Sequence, residues 1–476
     1  MNDRSVQSPN LVFILADQLR YQSCGYAGDD KAHTPNIDRL AGEGADFREA
    51  ISGHPLCAPY RASLLTGKYS SSTGMVINEL RMNPNHCCFG HVLHESGYQT
   101  AYIGKWHLWA NELGNHHDPK NSYIPPGPYR LGFEGDWAAY NFHHRYFDTY
   151  YHRDSPERIS NEGYEPDGQT DLAIRWLNEE RDSAKSFALF LSYGTPHDPW
   201  DPNNVPEGYY QLFQDVAFPL PPNYRTDNDT HADRWGQLDS KGREMLGDWM
   251  RVYYAMTANL DWNVGRLLST LDEAGLREST IFVFTSDHGE MFGSHGRRAK
   301  NIFYEEAIRV PFLIRWPERI PAGIRTDASL NTPDVMPTLL ALMGLSIPSG
   351  VEGVDLGHCA LGEPGPEPET AFLQGMGCTA AWDDGHEWRA LRSGQYTYAL
   401  YHSDSSELLF DNRSDPYQMQ DLSDSPRHTE VLQHYRAMLK ERMEELGDTF
   451  EICTWYRDNW TENREIMQSA TLDPRF

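Results

Sequence analysis

Four short runs of continuous apolar residues punctuate the first two thirds of the chain: residues 11–16, 100–104, 187–193 and 280–286. None alternates apolar with polar, so each reads as a strand covered on both faces. Helical periodicity lies between them. One helix is predicted from Thr34-Pro35, a cap followed by proline at the first position, to about residue 43. Another covers about 167–181. A long one covers about 244–274, with Leu260, Val264, Leu267, Leu268 and Leu271 on one stripe. A fifth strand at 310–315 and a helix at about 334–343 follow. Strands alternating with helices predict an α/β domain with a mainly parallel central sheet sandwiched by helices.

The tract Glu363-Pro-Gly-Pro-Glu-Pro-Glu369 reads as a linker. Beyond it lie short strand patterns at 388–391, 396–401 and 408–410. A terminal helix carries Leu432, Tyr435, Leu439, Met443 and Leu446 on one side. The expected division is residues 1–365 as the α/β catalytic domain and 366–476 as a smaller α+β subdomain with a short antiparallel sheet.

Composition narrows the function. A formal charge of −28 works against binding nucleic acid or an anionic membrane through the overall field. An anionic substrate then requires a locally positive pocket. Seven cysteines, an odd number without C-x-x-C spacing, suggest neither a disulfide frame nor a zinc site. The polar first ten residues lack a signal-peptide pattern, and no apolar run reaches the ~18 residues of a membrane span. As written the chain is expected to be cytoplasmic; removal of a signal peptide would make it periplasmic or secreted.

The candidate chemistry follows the strands. Asp17 and Gln18 follow the first; Lys105, Trp106 and His107 the second; Thr195, Pro196, His197 and Asp198 the third; Asp287, His288 and Gly289 the fourth. In open α/β sheets ligands bind beyond the carboxyl ends of the strands, so these residues are expected on one rim. Asp17, Gln18, Asp287 and His288 read as a metal site. Two carboxylates and an amide oxygen suit calcium, and the histidine nitrogen leaves manganese or zinc open. Pro59 suits a first helical turn, which places Cys57 at a helix N-terminus, where an anion is favoured.

Residues 57–67, Cys-Ala-Pro-Tyr-Arg-Ala-Ser-Leu-Leu-Thr-Gly, resemble the C-x-P-x-R…S-L-L-T-G signature of the formylglycine-dependent sulfatases of the alkaline phosphatase superfamily. Gly104-Lys-Trp-His107 is similar to that family's G-K-W-H element, and Thr195-Pro-His-Asp-Pro199 to its T-P-H-x-P loop. Residues 409–417 resemble an element near the family's C-terminus, so the likeness runs from Leu11 to about Leu422. It implies that a maturase oxidises Cys57 to formylglycine, and that residue 57 joins the metal ligands. A gem-diol can attack with one oxygen and collapse through the other, which removes the dead end of a stable sulfoserine. It also implies that Arg61 braces the hydrate, Lys105 and Lys300 contact sulfate, His107 acts as base during sulfate release and His197 protonates the leaving alcohol. Arg297 and Arg298 compete with Lys300 for its role. Gln18 departs from the Asp found there in many members. The expected activity is hydrolysis of a sulfate monoester on a carbohydrate or small molecule. The alternatives are a phosphonate monoester or phosphodiester hydrolase of the same superfamily, and an inactive sulfated-glycan binder. Arg20, Tyr21, Asn78, Arg81, His143 and His144 are further candidates for substrate contact.

Overall fold

A computed structural model describes residues 8–109 and 115–472; the polar start of the chain falls outside them. The strands in chain order are β1 Asn10–Asp17, β2 Ala45–Phe47, β3 Gln99–Lys105, β4 Asp136–Tyr140, β5 Phe147–Tyr151, β6 Ile159–Tyr164, β7 Phe187–Pro196, β8 Thr280–Ser286, β9 Phe312–Arg315 and β10 Ile324–Thr326. Eight of them form one sheet in the order β10-β2-β9-β8-β1-β7-β3-β4. β8, β1, β7, β3 and β4 run parallel. The predicted fifth strand, β9, is antiparallel to both its neighbours.

The unbroken apolar character of β1 follows from its two buried faces. Leu11, Phe13 and Leu15 pack with Leu64, Val335 and Leu339 on one side. Val12, Ile14 and Ala16 pack with Leu260, Val264 and Leu267 on the other. The predicted stripe of the long helix lies wholly in that second core, and the helix runs over Ser240–Glu273. Asp239 caps it, accepting the Gly242 N–H at 2.7 Å. The 167–181 prediction becomes Glu165–Arg175 followed by a π-turn, Trp176–Glu180. Helix Pro35–Glu43 starts where expected, but not by the expected cap. The Thr34 hydroxyl bonds to Asp38, and Asp261 from the long helix accepts the N–H groups of Asn36 and Ile37 at 2.9 and 2.8 Å.

The C-terminal sheet adds a strand missed in the sequence, β11 Ala371–Gly375, to β12 Trp388–Arg392, β13 Tyr396–Tyr401 and β14 Glu407–Asp411; all pair antiparallel. One face carries helix Thr429–Glu445 through Leu432, Tyr435 and Leu439. The other packs Leu373, Trp388 and Tyr401 against Met291, Ile302 and Phe303 of the preceding region. The last segment is anchored by a buried pair. Arg389 Nε lies 2.6 Å from Asp448 Oδ2 and Nη2 2.8 Å from Oδ1, both side chains fully enclosed. Arg389→Leu, which strands the Asp448 charge, is expected to cost about 3–5 kcal/mol. The double substitution Arg389→Leu, Asp448→Leu should recover much of that loss in a denaturation midpoint.

Candidate functional site

The sheet delivers its polar residues to one rim because the four central strands end together. Asp17 is the last residue of β1, Lys105 of β3, and Asp287 directly follows β8. Two glycines make the approach of backbones possible. Gly104 has φ +101°, and a Cβ there would sit 2.0 Å from the Ser192 carbonyl oxygen. A Cβ on Gly289 would sit 2.0 Å from that of Glu306. Gln18 (φ 69°) and His107 (φ 55°) take the left-handed conformation without being glycine, a cost proteins tolerate where a side chain must be aimed.

Cys57 is the first residue of helix Cys57–Thr66, and Asn78 Oδ1 accepts the Ala58 N–H at 3.0 Å. Asn78, a substrate-contact candidate in the sequence, thus caps the helix that carries Cys57. Cys57 Sγ lies 3.2 Å from His288 Nε2 and 3.7 Å from Asp17 Oδ1. Arg61, one turn along, donates Nη2 to Asp17 Oδ2 at 3.1 Å and reaches Asp287 Oδ2 at 3.5 Å. Its Nη1 bonds to the Lys105 carbonyl at 2.9 Å and Ser192 Oγ at 2.7 Å. Lys105 Nζ lies 2.5 Å from Asp17 Oδ2.

Lys300 Nζ donates to Gln18 Oε1 and contacts His197 Nε2, both at 2.7 Å. Its rivals are engaged elsewhere: Arg297 pairs with Asp229 at 3.0 Å, and Arg298 lies 5.0 Å from the Trp249 ring. Glu290 was not singled out in the sequence, although it directly follows Asp287-His288-Gly289. Fully buried, it accepts Gln18 Nε2 at 2.7 Å and the Ala299 N–H at 2.8 Å, joining the two segments that hold Lys300 in place. His107 stacks on Phe142 at 4.3 Å between centroids, and neither of its ring nitrogens has a hydrogen-bond partner among the described residues. Glu79, also missed, is buried with its Oε1 4.0 Å from His107 Nε2.

Asp17, Cys57, Asp287 and His288 place one ligand atom each within 4.8 Å of one another. The set fits a divalent cation. His288 Nδ1 is 3.0 Å from the Gly289 carbonyl, which fixes the proton there and leaves the Nε2 lone pair facing the cluster. Gln18 stands beside the set, its N–H donating to Asp287 Oδ1 at 3.0 Å, while its side-chain oxygen is taken by Lys300. Burial pushes the Asp17 carboxyl up, but Lys105, His197 and Arg61 more than offset this and hold it well below the usual carboxylate range. Burial and the neighbouring Asp17 push Asp287 up to about 7. Burial and Asp17 also push the Cys57 thiol up to about 12. Burial, then Lys105 and Arg61, drive His107 well below the usual imidazole range. The arrangement offers a closely held pair of carboxylates, three cations and neutral histidines around one side chain at a helix start.

Residues 9–345 match the family model described as Sulfatase, and residues 293–447 that of N-sulphoglucosamine sulphohydrolase, C-terminal. An ulvan-active sulfatase of Formosa agariphila is 36% identical over 94% of this chain and 83% of its own length. An N-acetylglucosamine-6-O-sulfatase of Bacteroides thetaiotaomicron is 28% identical over 96% and 88%. Among solved structures, that of yidJ, a candidate sulfatase of Bacteroides fragilis, superposes with a TM-score of 0.82 at 29% identity, covering 94% of this chain and 97% of that one. The signature at Cys57, the rim built by the four strands and these likenesses agree: the chain belongs to the sulfatase family and is a sulfuric ester hydrolase.

Proposed function

We propose that the enzyme cleaves a sulfate monoester on a carbohydrate, using formylglycine made from Cys57 by a maturase and one bound divalent cation. The observation that carries this reading is the place of Cys57, at the start of a helix and in contact distance of Asp17 and His288. With its acidity suppressed by burial, the unmodified side chain is a neutral thiol near neutral pH and a weak nucleophile. As a hydrated aldehyde, residue 57 supplies an oxygen nucleophile and a second hydroxyl through which sulfate is expelled. Asp17, Asp287, His288 and residue 57, with Gln18 adjoining, would hold the cation, which when bound would supply positive charge beside residue 57 and the sulfate group. Two carboxylates favour calcium; His288 keeps manganese and zinc in view.

The chain's own groups do the rest. Lys105, Lys300 and Arg61 are fixed before substrate arrives, so they meet developing charge on the sulfuryl oxygens without reorganisation. His197 Nδ1 lies 2.9 Å from the Asp198 carbonyl, which leaves Nε2 toward Lys300 Nζ. Nε2, which accepts from the Lys300 ammonium, can take that proton and relay it to the oxygen of the departing alcohol. His107, neutral and without a hydrogen-bond partner among the described residues, can serve as the base that removes the proton starting sulfate release. The carbohydrate assignment is supported by the relatives named above.

Three results test this. In protein matured by the family's oxidation, the Cys57 peptide should be about 18 Da lighter than the thiol form. Free sulfate should be released from sulfated mono- or disaccharides, and aryl sulfate should turn over faster than aryl phosphonate; the reverse order would assign the enzyme to phosphonates. Second, His107→Ala should release alcohol in one burst per enzyme and then turn over about 10²–10⁴-fold more slowly. Steady slow turnover without a burst would remove His107 from the release step. Third, because the base form of His107 persists as pH falls, the acid limb of kcat should lie below the ordinary imidazole value of about 6.5. A limb above that value that disappears in His107→Ala would contradict the assignment.

A further inference from the structure

A second polar site adjoins the catalytic rim. β4 is parallel to β3, and its last residue, Tyr140, is in register with Lys105. The segment after it, residues 141–145, therefore leaves the sheet at the same rim. Along this segment the side chains divide. Phe142 stacks on His107 with ring centroids 4.3 Å apart, and His144 lies 4.8 Å from His197. His143, between them, stacks on Tyr140 at 3.9 Å and lines a separate cavity of about 230 Å³. His117, Arg145, Asp148, Thr149, Tyr150 and Arg158 complete that cavity.

Three observations mark it as built for an anion. Arg145 and Arg158 have no carboxylate partner among the described residues, although the chain carries a charge of −28 and acidic groups are plentiful. Arg158 is nonetheless held: its Cζ lies 4.2 Å from the Tyr150 ring centroid, and it donates to the His117 carbonyl. The Tyr150 hydroxyl in turn lies 3.1 Å from His117 Nδ1. His143 is 3% exposed, its Nε2 is 3.1 Å from Glu165 Oε2, and its Nδ1 has no hydrogen-bond partner among the described residues. A buried polar atom left in that state needs a partner that the protein does not supply. The one acidic group in the lining, Asp148, has its Oδ1 3.3 Å from the Gly163 N–H.

We propose that Arg145, Arg158, His117 and His143 form a subsite for a second anionic group of the substrate, a sulfate or a carboxylate on the sugar next to the one that bears the scissile sulfate. The proposal rests on the carbohydrate reading above and deepens it: the preferred substrate is a polyanionic saccharide with at least two charges one residue apart. Guanidinium groups suit either anion because they match the two oxygens of each in a fork. Phe142, His143 and His144 are consecutive, so one segment lines both the catalytic rim and the cavity. Occupation of the subsite would orient the scissile ester without touching the reacting atoms.

The test is titration calorimetry in a Cys57→Ala background, where binding is read without turnover. Three disaccharides serve as probes: one with a single sulfate, the same with a second sulfate on the neighbouring sugar, and the same with a uronate carboxylate there. At least one doubly charged probe should bind about 10-fold more tightly than the singly charged one, and the arm that gains identifies the group. Adding Arg145→Ala and Arg158→Ala should erase the gain while the singly charged probe keeps its Kd. Equal binding of all three probes, or a gain that survives in the double-arginine variant, would overturn the subsite alone. Failure of every probe to bind would overturn the carbohydrate reading and the subsite with it. Sulfate release by the matured parent protein reports separately on the activity.

Discussion

Two carboxylates, Asp17 and Asp287, are buried side by side at the ends of adjacent strands with no exposure to water. Burying one charge is costly and burying two like charges more so, unless opposite charge is built in around them. Much of the surrounding architecture answers that requirement. Arg61 bridges both carboxylates from the helix that begins at Cys57. Lys105 arrives from β3 onto Asp17. The remaining demand, concentrated on Asp287, Asp17 Oδ1 and the His288 lone pair, is one that a divalent cation meets.

The same requirement gives the C-terminal region its role. Lys300 sits in a segment with left-handed backbone at Ala299 and Asn301. Such a segment holds its shape only if the surroundings determine it. Glu290 takes the Ala299 N–H from one side. From the other, Asn301 Nδ2 donates to the Gly377 carbonyl and accepts Trp388 Nε1 at its own carbonyl. Met291, Ile302 and Phe303 pack on the small antiparallel sheet. The sheet thus stands behind Lys300 rather than being an appended module, and its stability bears on how well that side chain is aimed.

The legible part of the fold was the part that burial writes into sequence. β1, β3, β7 and β8 read as unbroken apolar runs because both faces are covered, and their polar successors fell on one rim because parallel strands end on one side. Lys300 could be reached only through spacing, with Arg297 and Arg298 beside it; the structure separates them by giving Arg297 to Asp229 and leaving Lys300 against Gln18 and His197. What stayed hidden was long-range. Asp261 caps a helix 225 residues earlier in the chain, and no local pattern announces that. Asn78 looks like any loop asparagine until the Ala58 N–H is seen beside it. Glu79 carries no motif, and only its burial and its neighbour His107 mark it. β11 follows a proline-rich tract and is short, so its pairing with β12 supplies a definition that its own residues lack.

The account depends most directly on charge balance at the strand ends, and calcium binding to the purified protein measures it. After chelation and dialysis, calorimetric titration should show one calcium per chain, with heat lost when Asp287 is replaced by Asn. A chain that binds no divalent ion, or an Asp287→Asn variant that keeps full stoichiometry and affinity, would contradict the claim that these carboxylates converge to hold a cation.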